Sequence, residues 1–188
     1  KEENNMEKAL EYLANGREMF DLDQSLINAQ INLYIQLGRT NELIDKLSEA
    51  ITLDDENELL FFNRGTIYDQ NDDFINAESD YKASLEINPD LFGANYNLGA
   101  LYFNLGVETN NKANATSNNT IYKTLKKEAE SSFKKALPYL EAAYHINDED
   151  MNTLLSLKQL YYLNGDYKKS EEIKQVIESY KQWWKLIL

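Results

Sequence analysis

One histidine, no cysteine and a scatter of carboxylates are what this chain offers for catalysis. His145 stands near the end of a helical pattern, where the helix dipole favours a cation. No serine or acid is spaced around it as a nucleophile–base–acid set requires. The absence of cysteine excludes disulfides, thiolate catalysis and cysteine-ligated zinc. Asp72–Asp73 and Asn147–Asp150 are acidic turns that lack the central glycine and distal glutamate of a calcium loop, so they read as helix caps. No glycine-rich segment follows a strand to cradle phosphate. No catalytic residue, metal ligand or cofactor is expected. The amides are more informative: Asn63 and Asn97 recur at a spacing within the range of periods that repeat architectures use. A carboxamide pairs with both N–H and C=O groups of a main chain, and aromatic faces receive side chains, so the two types together suit an extended peptide.

Helices must position those side chains. With 43% apolar and 12% aromatic residues the 188-residue chain can bury a substantial core. Two prolines and seven glycines permit long helices. Nineteen basic against 32 acidic side chains leave a net charge of −13, which repels phosphate backbones, so nucleic acid is not an expected partner. No apolar run of about 18 residues occurs, and no membrane span is expected.

The stretch Glu58–Leu91 reads ELLFFNRGTIYDQNDDFINAESDYKASLEINPDL, with Gly65, Tyr68, Ala77, Tyr81 and Pro89 at fixed offsets. It resembles the tetratricopeptide repeat, a helix–turn–helix unit of about 34 residues with a small, aromatic, Ala, aromatic, Pro signature. FKKALPYLEAAYHIN and LKQLYYLNGDYKK further along are similar to tetratricopeptide proteins of Bacteroidetes-type bacteria. The resemblance implies an all-α fold, a right-handed superhelix (an α-solenoid) in which each unit stacks on the next because it cannot bury its own apolar face.

Stepping along the chain by that period puts units at 24–57, 58–91 and from Phe92. Tyr34, Tyr68, Tyr102 and Tyr161 recur at one position and Tyr81 at another, as scaffold. Residues 1–23 are expected to be the surviving N-terminal helix of a truncated unit, lying as a lid. The next clear unit starts only at Met151, so the unit from Phe92 overruns the repeat period by roughly 25 residues. The unit 92–150 is therefore expected to carry an inserted helical hairpin between Gly106 and Ala136, turning near Ala115–Asn119. The alternative is a loop over Asn111–Thr120 with only the second helix lengthened. Pro138 is expected to bend that helix. Residues 151–188 form the last unit with a C-terminal capping helix, the whole being one solenoid. The chain opens at Lys1 inside a helical pattern, so an upstream piece such as a removed signal peptide is expected; bacterial cytoplasm and periplasm both fit.

The register of the resemblance turns one face of each first helix toward the concave side. It implies Asn28 and Asn32, then Phe62, Asn63 and Thr66, then Tyr96, Asn97 and Asn104, and finally Gln159 as partner-binding residues. Charge is nearly absent there. Ala29 and Ser156 interrupt the asparagine ladder at both ends. Chaperone-binding members of the family clamp a carboxylate with basic residues, but Asn28, Gly93 and Asn97 stand at those positions, so such a clamp is not expected. Lys123, Lys126, Lys127, Lys134 and Lys135 outnumber Glu128 and Glu130 on one segment, which reads as a solvated flank or a dock for acidic groups. Trp183 and Trp184 near the C-terminus either cap the last unit or form a self-association contact. The expected function is a non-catalytic scaffold whose concave groove binds an extended segment of another protein. The alternative is an assembly protein that self-associates, as a homodimer, through the hairpin and the aromatic C-terminal helix.

Overall fold

The structure, a computed structural model, describes residues 2–19 and 24–187. The described residues form nine helices: α1 (Glu2–Met19), α2 (Gln24–Gln36), α3 (Thr40–Leu53), α4 (Glu58–Gln70), α5 (Phe74–Ile87), α6 (Phe92–Ala115), α7 (Asn119–Ile146), α8 (Met151–Leu163) and α9 (Tyr167–Ile187). The chain is all-α, of the α-solenoid class, built from helical hairpins. No helix among the described residues is long and apolar enough to cross a membrane. The helices group into two compact units, Lys1–Asp80 and Tyr81–Leu188.

In the first unit, Leu10 of α1, Ile31 and Tyr34 of α2, Leu43 and Leu47 of α3 and Ile67 of α4 bury one another. Where two of them share a helix they stand three or four positions apart, which gives that helix one apolar stripe. Arg64 of α4 holds Asp80 of α5 in a two-pronged ion pair, Nε and Nη2 each donating to a different carboxylate oxygen at 2.7 Å. Its Nη1 donates to Ser48 Oγ of α3 at 2.9 Å. Asp80 is 4% exposed. At the surface Arg39 joins α1 to α3 through Glu7 and Glu42.

In the second unit, α6 and α7 run antiparallel at close range. A Cβ on Gly99 would stand 2.7 Å from Leu140 Cγ, and one on Gly106 would stand 2.5 Å from the Phe133 ring. Leu98, Tyr102, Ala136, Leu140 and Ala143 are buried between and beside these helices. The packing continues outward through Ala113 and Ala129, both buried. α6 ends at Ala115 and α7 starts at Asn119, capped by Asn118, whose side chain accepts from the Thr120 and Ile121 amides. Residues 111–115, which the loop alternative would leave unwound, are helical. α7 stays one helix through Pro138. α8 packs on both α6 and α7, and α9 covers α8 through buried Ile173 and Ile177.

The turns within the hairpins share one construction. The Arg39 amide donates to the Tyr34 carbonyl, Asp73 to Tyr68 and Asp166 to Tyr161, at 2.8 to 2.9 Å. The residue before each donor has a left-handed backbone: Gly38 at φ +66°, Asp72 at +60° and Gly165 at +79°. Glycine suits that geometry, and aspartate tolerates it at some cost. By the same count Tyr102 would place its turn at Gly106, yet α6 runs on through Gly106 as far as Ala115. Asp73 and Asp150 accept amides at helix starts, as caps do, whereas Asn147 follows the end of α7 and accepts the Glu149 amide within the turn.

Candidate functional site

Three of the first helices of the hairpins carry little charge, whereas α4 holds Glu58, Arg64 and Asp69. α2 has no Asp, Glu, Lys or Arg among 13 residues, α8 has Lys158 alone among 13, and α6 has only Glu108 and Lys112 among 24. The acidic excess lies on α1 and on the segments between helices, the second helices carry charges of both signs that balance, and α2, α6 and α8 present amides and aromatics.

The expected contact residues whose side chains are described lie at different depths. In the first unit Asn32 is exposed on α2. Phe62 and Asn63 of α4 are buried, at 7% and 4% exposure, beneath the surface they were expected to form. Thr66 is half-buried and donates its hydroxyl back to the Phe62 carbonyl at 2.9 Å. The side chains of Asn28 and Trp184 lie outside the described residues. In the second unit Tyr96 stacks on Phe92 with ring centroids 6.1 Å apart and planes 9° from parallel. Burial, and then the Asp150 carboxylate, push its hydroxyl above the ordinary tyrosine range. Asn97 donates to the Tyr81 hydroxyl at 3.2 Å, so one face of its amide is committed to the scaffold. Asn104 is exposed two turns further along α6. Gln159 of α8 is exposed and lines a hollow of about 490 Å³ with Leu155, Lys158, Tyr162 and Ser170. The fold thus brings Tyr96, Asn97 and Asn104 onto one helix beside α8.

Of the recurring tyrosines expected to be scaffold, Tyr34, Tyr81, Tyr102 and Tyr161 are buried, whereas Tyr68 is half-buried and lines a surface hollow with Gly38 and Asn71. Tyr161 donates to Glu141 Oε1 at 2.6 Å. Burial, followed by that bond, holds its hydroxyl far above the ordinary range. The lysine-rich segment is partly used by its own chain. Lys126 donates to Asn110 Oδ1 at 2.6 Å, and Lys135 lies over the Tyr102 ring. Lys123, Lys127 and Lys134 are exposed.

Trp183 is 57% exposed and lines a second hollow of about 460 Å³ with Glu149, Met151, Ser179 and Tyr180. Trp183 stands out in the sequence, but Glu149 and Tyr180 do not: one lies on a turn, the other on α9. No sequence signal joins them; only the fold does. His145 sits in the last turn of α7, its ring 6.0 Å from that of Tyr144. Among the described residues no group of three or more His, Cys, Asp or Glu side chains is placed to hold a metal ion.

Residues 60–91 match the family model of the tetratricopeptide repeat. No curated protein sequence matches the chain. Among solved structures, the chain is similar to MamA, with a TM-score of 0.64 at 16% identity over 98% of this chain and 88% of that one. It is also similar to the human IFIT1 dimer with m7Gppp-AAAA, with a TM-score of 0.62 at 16% identity, covering 87% of this chain and 34% of that one. A tetratricopeptide repeats protein from Bacteroides fragilis gives 0.53 at 22% identity, over 85% and 76%. At these identities the likeness is one of fold.

Proposed function

We propose that this tetratricopeptide-repeat chain is a non-catalytic interaction scaffold whose first helices hold an extended segment of another protein. The observation that carries the reading is the partition of charge: a chain of net charge −13 leaves α2, α6 and α8 almost without it. Desolvating carboxylates against a peptide would be costly, whereas amides and aromatic faces meet it at little cost. Asn28, Asn32, Thr66, Tyr96, Asn97, Asn104 and Gln159 are the proposed contacts. Buried Phe62 and Asn63 would shape the wall from behind. The units 24–57, 58–91, 92–150 and 151–188 are part of the same proposal. IFIT1 is seen with m7Gppp-AAAA, but here the negative charge opposes a chain of phosphates.

Selection of short unstructured peptides on the full chain tests this. Tyr96→Ala with Asn104→Ala should abolish capture while helical content stays as it was. Capture that survives this double change, and survives Gln159→Ala as well, refutes the groove.

A second reading has its own observation. Ile121 and Tyr122 near the α6–α7 tip and Trp183 on α9 are exposed at 48%, 38% and 57%. Large apolar side chains left in water favour self-association. Light scattering over a concentration series checks it, and a strict monomer at high concentration removes it.

A further inference from the structure

We infer that the hollow walled by Tyr180 and Trp183 and edged by Glu149 receives an arginine side chain carried on a segment of a partner protein. The site lies at one end of the second unit, where the later turns of α9 pass the 147–150 turn and the start of α8. Its lining is mostly apolar: two aromatic rings and the Met151 thioether, with Ser179 at one side. Glu149 closes the edge, and Asp148 precedes it. Both carboxylates are exposed, and neither forms an ion pair with a basic side chain among the described residues.

An apolar slot with unpaired carboxylates at its mouth fits a ligand that is apolar along its stem and cationic at its end. Arginine and lysine have that form. Aromatic faces attract a cation through the ring quadrupole, and a carboxylate adds a charge-assisted hydrogen bond. The Tyr180 hydroxyl reports the local field: burial first, and then Asp148 and Glu149, push it above the ordinary tyrosine range. An anion entering this field would be repelled. Between the two cations, the guanidinium is planar and weakly hydrated and stacks on rings, whereas ammonium holds its water more tightly. A free amino acid would bring its own carboxylate toward Asp148 and Glu149. Arginine within a polypeptide brings only neutral amides, which makes a protein segment the source. The net charge of −13 draws a basic segment in from a distance. This inference stands apart from the groove on the first helices, and either can fail without the other.

The chain has two tryptophans, so Trp184→Phe leaves Trp183 as the sole indole reporter. In that background, blocked tripeptides with a central arginine, citrulline, lysine or leucine are titrated against the full chain and Trp183 emission is followed. The arginine peptide should change the emission saturably and more weakly as salt is raised. Citrulline, of nearly the same shape but uncharged, should fail, and lysine should bind less tightly than arginine. Glu149→Gln should weaken arginine binding about tenfold, the scale of one hydrogen bond to a charged group. No saturable response to arginine overturns the assignment, as does equal binding of citrulline, lysine or leucine, or an unchanged affinity in Glu149→Gln. An emission shift produced by protein concentration alone overturns it in favour of a second copy of the chain.

Discussion

Replacing Gly99 by alanine sets two effects of opposite sign against each other. Alanine favours a helix over glycine by about 0.5–1 kcal/mol, so in open space the change would stabilise α6. Here the new Cβ would meet Leu140 Cγ at 2.7 Å, Leu140 Cδ2 at 3.0 Å and the Leu140 backbone nitrogen at 3.2 Å. Cγ is the branch point of a fully buried side chain and the nitrogen belongs to α7, so neither yields by a simple rotation. Overpacking of this kind costs about 1–3 kcal/mol. The net expectation is a loss of about 1–2 kcal/mol, or a melting temperature lower by roughly 3–6 °C for a chain of this size. Gly16→Ala provides the control, because its Cβ would meet Leu26 Cδ1 at an ordinary 3.5 Å. That change should raise the melting temperature. Thermal unfolding of both variants by far-UV circular dichroism makes the comparison. If Gly99→Ala melts at or above the parent temperature, the close packing of α6 on α7 at this level is wrong.

Three further outcomes follow from other contacts. Arg64→Leu strands the Asp80 carboxylate at 4% exposure and should cost about 3 kcal/mol in urea unfolding, whereas Arg64→Leu with Asp80→Leu should recover most of it. Asp150 caps α8 by accepting from the Thr153 amide and hydroxyl, both at 2.7 Å, so Asp150→Ala should lower stability by about 1–2 kcal/mol on the same measurement. Tyr161 favours its neutral form in the fold, with a pKa raised above the ordinary 10. Its contribution is complete below pH 10 and is lost as pH rises beyond it, so Tyr161→Phe should be less stable at neutral pH yet decline less steeply between pH 10 and 12.

The helices were legible because one geometric rule repeats. Tyr34, Tyr68 and Tyr161 each precede a turn closed by the amide five positions on, and glycine marks two of those turns. Asp72 hides the third, since an aspartate with a left-handed backbone leaves no mark in the sequence. The candidate contacts were legible by helical face but not by depth. Register places Asn63 and Asn97 alike, yet Asn63 is buried, and Asn97 is held by the hydroxyl of Tyr81. The Glu149–Tyr180–Trp183 hollow was illegible, because its walls come from separate segments joined only when α9 folds back along α8.

The passage of α6 through Gly106 constrains how this part of the chain can drift in length. A turn at that point would let each limb end independently. Instead the two limbs are locked in phase by Gly106 against Phe133 and by buried Ala113 and Ala129 beyond. Adding or deleting one residue on a single limb rotates the part beyond it by about 100° relative to its neighbour, swinging the small residues out of the seam. Growth or trimming that preserves the seam is therefore confined to the tip around 116–118, with both limbs changing together.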